Sequence, residues 1–236
     1  MTISVTPIFI PGLILTREIF AAQIDGLVHP AAAKTADTLG RDSITAMAEA
    51  ALALADGPLV PVGISMGGYI AMEMARLAPQ RLAGIALLNT QHRADPLERR
   101  KQREATIDMA QSDRFRGVTR HLLKSFLSPA AMENETLVAR VIAMAEEVGR
   151  ENFVLQQRAI LGRRDQSDTL AALTVPALVL GGGLDTLTPP QASRDMAELI
   201  PDAELVIMEE SGHLSTIEAP DEVTDILNAY LARLAA

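Results

Sequence analysis

The stretch Pro58-Leu59-Val60-Pro61-Val62-Gly63-Ile64-Ser65-Met66-Gly67-Gly68 decides the fold. Pro58 to Ile64 is an apolar run of the kind buried on both faces of a parallel sheet, and Gly67 to Leu77 keeps helical spacing until it stops before Pro79. Between strand and helix lies Gly63-Ile64-Ser65-Met66-Gly67, a G-x-S-x-G turn. Glycine two residues either side of the serine lets neighbouring backbone close in without a Cβ in the way. The turn exposes the serine hydroxyl at a helix N-terminus, whose positive end favours a developing oxyanion. Such a turn could also bind phosphate, but the P-loop Lys-Ser/Thr pair and G-x-G-x-x-G are both absent here.

Outward from this turn, short apolar runs alternate with helical stretches. Val5 to Ile10 reads as a strand ending at Pro11-Gly12, followed by a helix near Arg17 to Asp25 and a short strand around Leu27 to His29. Asp42 or Ser43 can cap a helix through Met47, Ala51 and Leu54, and Leu82 to Leu88 reads as another strand. From about Gln91 to Asp168 the patterning is helical throughout. The alternation then resumes with strands at Ala177 to Leu180 and Ala203 to Met208 and helices at Pro190 to Leu199 and Pro220 to Leu234. The expected fold is α/β: a doubly wound, mostly parallel sheet of about six strands. Residues 1–90 and 169–236 form its core, and 91–168 an inserted all-helical cap.

A serine hydroxyl needs a neighbouring base to become a nucleophile at neutral pH. Among the four histidines, His213 in Ser211-Gly212-His213-Leu214 follows the last strand, where loops at the carboxyl edge of a sheet gather function; His29, also at a strand end, is second choice. The base in turn needs a carboxylate, and Asp185 in Gly181-Gly182-Gly183-Leu184-Asp185 directly follows the preceding strand. Taken alone, Asp185 reads as a cap in a Gly-rich turn. The order Ser, Asp, His on successive strand ends makes it the orienting acid.

The 236 residues suffice for one large domain with an insertion and a sizeable apolar core. There is no cysteine, hence no disulfide and no thiolate chemistry, and the histidines are too scattered for a metal cluster, so cofactor-free and metal-free chemistry is expected. Met1 to Ile10 has no basic leader pattern and no apolar run is long enough for a bilayer, so a cytoplasmic chain without membrane association is expected. A net charge of −9 argues against nucleic acid as a partner.

Elbow, helical insertion, G-x-x-D turn and G-H loop together resemble the α/β-hydrolase superfamily, and the likeness extends over nearly the whole chain. The resemblance implies a Ser65, Asp185, His213 triad. It also implies an oxyanion hole made by the backbone N–H of Met66 and that of Leu13 in Pro11-Gly12-Leu13. Many relatives have His-Gly where this chain has Pro11-Gly12, and with Val5 to Ile10 as the first strand six strands are expected instead of eight. Ser65 departs from haloalkane dehalogenases and epoxide hydrolases, which carry Asp at the elbow. Leu13-Ile14-Leu15 lacks the Gly-rich oxyanion loop of meta-cleavage hydrolases. Ester cleavage is therefore the leading expectation, ahead of thioester or lactone cleavage. Acyl transfer by the same triad, or a slow-turnover receptor, are the alternatives.

Charge is unevenly spread, with residues 91–170 at net +2 and the remainder at net −11. Gln91 to Lys124 alone carries net +4, including Arg93, Arg99, Arg100, Arg103, Arg114 and Arg116. One reading is a solvated helical face balanced by Glu98, Glu104 and Asp108. The other is attraction of an anionic substrate or an acidic carrier protein, which would resemble the pimeloyl carrier-protein methyl esterases. Phe153, Gln157, Ile160 and Arg164 share one helical face and could reach the cleft, with Arg164 pairing a substrate carboxylate. His92, at the entrance to the insertion, is a further candidate for substrate contact.

Overall fold

A computed structural model describes residues 5–28, 33–112, 117 and 119–234. Six parallel strands form one sheet in the order β2-β1-β3-β4-β5-β6. They are β1 (Thr6–Ile10), β2 (Lys34–Thr35), β3 (Leu59–Ile64), β4 (Ile85–Leu88), β5 (Ala177–Gly182) and β6 (Ala203–Met208). β1 pairs with β2 on one side and β3 on the other, so the direction of winding reverses at β1, with Ile10 opposite Gly63. In open α/β sheets, the crevice beyond the carboxyl ends of the strands at such a reversal is where ligands bind.

Side chains alternate between two buried clusters, as a strand buried on both faces requires. Phe9, Val60, Val62, Ile64, Ala86, Leu88, Leu178 and Leu180 face one cluster, shared with Leu227 and Tyr230 of the closing helix. Ile8, Ile10, Leu59, Ile85, Leu87 and Val179 face the other, shared with α2 (Ile44–Leu52) and α3 (Met66–Leu77). Ser43 caps α2 by accepting from the Ala46 N–H. α1 (Ala21–Asp25) falls within the helix expected near Arg17 to Asp25, α10 (Ser215–Glu218) follows the His213 loop, and α9 (Pro190–Leu199) and α11 (Pro220–Leu234) lie where the sequence predicts them.

The short strand expected around Leu27 to His29 is instead Lys34–Thr35, which pairs with Ile8 and Phe9 of β1. His29 lies outside the described residues. A two-residue edge strand carries no apolar run, while Leu27 is drawn into the core as a loop residue.

Between β4 and β5 every described element is helical: α4 (Leu97–Gln111), α5 (Arg120–Leu123), α6 (Pro129–Met132), α7 (Glu135–Leu161) and α8 (Ser167–Ala171). α7 breaks at Gly149, whose φ of 72° is open to glycine at little steric cost. Its two halves differ in task. Leu137, Val138 and Val141 pack within the helical layer, whereas Phe153, Gln157 and Ile160 face the carboxyl edge of the sheet.

Candidate active site

The glycines of the turn after β3 are close-approach positions. A Cβ on Gly67 would lie 1.9 Å from the Ile10 carbonyl oxygen, and one on Gly63 would lie 2.2 Å from that of Gly67. A Cβ on Gly12 would meet the Ile64 carbonyl oxygen and the Ser65 Cβ at 3.1 Å each. The ends of β1 and β3 are thereby drawn together, with Ser65 at φ 54°, ψ −116°. That backbone costs about 1–3 kcal/mol, and the packed glycines fix it. The Ser65 N–H donates to the Leu88 carbonyl at 3.0 Å and its own carbonyl accepts from Thr90 Oγ1 at 2.8 Å.

The Ser65 Oγ lies 2.8 Å from His213 Nε2, and His213 Nδ1 lies 2.7 Å from Asp185 Oδ2. His213 and Asp185 are 2% and 4% exposed, so water competes little for this contact. With neutral imidazole, Nδ1–H donates to the carboxylate and Nε2 accepts from the serine hydroxyl. Burial by itself would raise the Asp185 pKa. His213 and the donors from Thr188 outweigh it and hold the carboxyl below its usual value. Asp185 Oδ1 accepts from the N–H groups of Leu187 and Thr188 at 2.9 Å each, and Oδ2 accepts from Thr188 Oγ1 at 2.7 Å and Asn89 Nδ2 at 3.2 Å.

The histidine loop is pinned from outside. The His213 N–H donates to the Phe126 carbonyl at 2.9 Å, and the Phe126 ring meets the imidazole edge-on with centroids 5.8 Å apart. Glu218 accepts from the N–H groups of Gly212, Leu214 and Ser128 at 3.0, 3.1 and 3.0 Å. Asn89, itself at φ 44°, ties the two loops together by donating to both Asp185 and the Gly212 carbonyl.

After β1, Gly12-Leu13-Ile14-Leu15 forms a turn closed by the Leu15 N–H donating to the Gly12 carbonyl at 3.2 Å. Ile14 has φ 60°, an outlier for a β-branched residue. Its N–H donates to Gln156 Oε1 of α7 at 3.0 Å, and Gln156 Nε2 donates to Thr38 Oγ1 at 3.2 Å. Among the described residues, the Leu13 and Met66 N–H groups have no hydrogen-bond acceptor. Leu13 lines the cavity over Ser65, and Met66 begins α3 directly after it.

That cavity, about 310 Å3, lies under the helical layer and is lined by Ser65, His213, Leu13, Ile14, Phe126, Phe153, Gln157 and Leu187, with Arg99 and Arg103 of α4. Phe153 and Gln157 thus lie where their helical face predicts. Arg164 and His92 do not: both line a second, polar cavity with Glu73, Asp42 and Arg163. α7 ends at Leu161, so the helical spacing that would bring Arg164 into line is broken at Gly162. His92 is buried, with Nε2 accepting from Arg93 Nε at 3.3 Å; burial and the Arg93 cation lower its pKa.

Sequence reasoning missed Asn89, Thr188, Gln156 and Glu218, and it placed Arg99 and Arg103 only within a charge run. For the two arginines a signal existed. They stand four residues apart on one helix, four and eight residues after Asp95. Arg114 and Arg116 of the same run lie outside the described residues.

Asp95 is the buried counter-ion of the helical layer, accepting from Arg103 Nε at 2.5 Å and Arg163 Nη2 at 2.7 Å. Arg163 also lies over the Tyr69 ring, 4.3 Å from its centroid. Burial alone would raise the Asp95 carboxyl, but the two arginines outweigh it and hold it at about 2. Glu73 is likewise held at about 2 against burial, by Arg76, Thr45 and Gln166. Both folded values lie below the unfolded ones. Their contribution is therefore fully present above the ordinary carboxylate range and lost as pH falls. Thermal melting is expected to drop progressively between about pH 5 and about pH 2. The drop should be shallower in Asp95→Asn; an identical pH profile in that variant would contradict the assignment.

No described helix is long and apolar enough to cross a membrane, and among the described residues no group of three His, Asp or Glu side chains could hold a metal ion.

The sequence model of the family described as alpha/beta hydrolase fold matches residues 41–220. A dihydrolipoyllysine-residue acetyltransferase component of an acetoin cleaving system from Pseudomonas putida is 27% identical over 94% of this chain. The match spans 58% of that relative's length. A pimeloyl-[acyl-carrier protein] methyl ester esterase from Vibrio parahaemolyticus is 24% identical over 89% of this chain and 86% of its own. Among solved structures, a thermophilic esterase from Thermogutta terrifontis, with malate bound, superposes with a TM-score of 0.90. It covers 100% of this chain and 92% of its own at 24% identity.

Proposed function

The chain belongs to the alpha/beta hydrolase fold family, and we propose that within it the protein is a serine hydrolase that cleaves a carboxylic ester through an acyl-enzyme on Ser65. The observation that carries this reading is the unbroken chain of contacts from Ser65 Oγ to His213 Nε2 and from His213 Nδ1 to Asp185, at 2.8 and 2.7 Å, beside two N–H groups with no acceptor among the described residues.

Ser65 Oγ attacks the ester carbonyl carbon while its proton passes to His213 Nε2. The carbonyl oxygen, now an oxyanion, takes hydrogen bonds from the Leu13 and Met66 N–H groups. Collapse breaks the C–O bond, and the imidazolium returns its proton to the departing alkoxide. A water molecule then attacks the acyl carbon and gives its proton to His213. The acid is released and the Ser65 hydroxyl regained. Asp185 stays ionised throughout, holding the Nδ1–H tautomer and stabilising the imidazolium.

Thioester and lactone cleavage need the same groups, as does transfer of the acyl group to a bound alcohol or amine. The test is covalent: an alkyl fluorophosphonate should label Ser65 stoichiometrically and abolish p-nitrophenyl ester hydrolysis in parallel. Label on another residue, or full activity in the labelled protein, would sink the reading.

A further inference from the structure

We infer that the cavity over Ser65 binds an ester that carries a second, oxyanionic end, taken up by Arg99 and Arg103. The inference rests on the reading of Ser65 as nucleophile and names the class of substrate for that site.

Charge balance is the first argument. Arg99 and Arg103 line the cavity, and among the described residues no Asp or Glu does. Arg103 shares its one carboxylate, Asp95, with Arg163, so two guanidinium groups stand against a single negative charge. Arg99 has no carboxylate within ion-pair distance among the described residues, and its contact is with the Leu187 carbonyl at 3.4 Å. The wall of a partly enclosed cavity thus carries excess positive charge, where reduced hydration makes an unpaired cation costly and an incoming anion favourable.

Donor geometry is the second. Arg103 is held by two acceptors: Nε donates to Asp95, and Nη1 donates to Gln157 Oε1 at 2.7 Å. Its Nη2 has no described acceptor, and neither have Nε and Nη1 of Arg99. The forks stand one helical turn apart, so a two- or three-oxygen anion could take a bond from each. Their neighbours on α4 behave differently. Lys101 is exposed, and Arg100 Nη1 is occupied by the Leu161 carbonyl at 2.7 Å. A solvated charge run would not make that distinction. The apolar part of the lining, Phe126, Phe153, Ile160 and Leu187, suits a short methylene chain between ester and anion.

The experiment compares p-nitrophenyl hemiglutarate with neutral p-nitrophenyl pentanoate in the wild type, Arg99→Gln, Arg103→Gln and Arg103→Lys. In the wild type, kcat/KM should favour the hemiglutarate by about 10- to 100-fold, mainly through KM. The ratio should fall about tenfold in Arg99→Gln, which leaves the Asp95 pair untouched, and should recover in part from Arg103→Gln to Arg103→Lys. Equal rates for the two esters in the wild type, or a ratio unchanged in Arg99→Gln, would overturn the inference while leaving the serine hydrolase standing.

A binding arm is independent of turnover. Calorimetric titration with glutarate and with propyl phosphate should show at least one binding, and more weakly to Arg99→Gln; which binds tighter tells carboxylate from phosphate. If neither ester is cleaved, the reading of Ser65 fails, and these titrations alone decide the subsite. No heat with either anion at millimolar concentration would overturn it.

Discussion

Ser65→Ala is expected to lower kcat for any ester the protein cleaves by about 10^5- to 10^6-fold, with KM changed by less than about threefold. In the proposed mechanism the whole covalent route passes through one oxygen, 2.8 Å from His213 Nε2. Without it, water would have to attack directly, helped only by the Leu13 and Met66 N–H groups and by His213. Those groups would leave a residual rate about 10^3- to 10^4-fold above the uncatalysed one. The substitution should scarcely disturb the fold. Alanine meets the same positive-φ penalty as serine, and the close contacts at the turn are made by Gly63, Gly67 and the backbone. Circular dichroism and melting temperature should therefore match the wild type while turnover vanishes. A variant keeping a tenth of the wild-type kcat would remove Ser65 from the mechanism.

Asp185→Asn is the second large effect, about 10^4-fold in kcat. Each carboxylate oxygen of Asp185 faces donors: two N–H groups at Oδ1, and the Thr188 hydroxyl, the Asn89 amide and His213 Nδ1 at Oδ2. An amide NH2 in either position sets donor against donor. Placed toward His213, it forces Nδ1 to become the acceptor, which moves the ring proton to Nε2. An Nε2–H opposite Ser65 cannot take the serine proton. The rate should then rise with hydroxide concentration, because base from solvent takes over the task. Unfolding should also become easier by about 1–3 kcal/mol, the cost of an unsatisfied buried donor. A pH–rate profile parallel to that of the wild type would show that Asp185 does not govern the tautomer.

The sheet and the three residues from Ser65 to Asp185 were legible in the sequence because their signals are local. Strands buried on both faces write themselves as unbroken apolar runs, and Gly63 and Gly67 are needed where backbone atoms would otherwise collide. β2 had no such signal: two residues at a sheet edge, one of them the exposed Lys34, need no pattern. Arg164 was misplaced because helical spacing was carried past Gly162, although a glycine is an ordinary helix terminator. Asn89, Gln156 and Glu218 carry no motif. Their partners are distant in sequence, 142 residues in the case of Gln156 and Ile14, and single polar residues acquire meaning only after the chain has folded.

The Ile14 N–H held by Gln156 has a wider consequence. A β-branched residue would leave φ 60° if it were free to do so, and the restraint comes from the same helix, α7, that supplies Phe153 and Gln157 to the cavity. Roof and Leu13 turn are thus latched, like a drawer whose catch is on its lid. Any displacement of the distal half of α7 that broke the Gln156 contact would release the Ile14 amide, in the same turn that carries Leu13. The roof of the cavity and the turn beside Ser65 are accordingly tied to each other through a single amide.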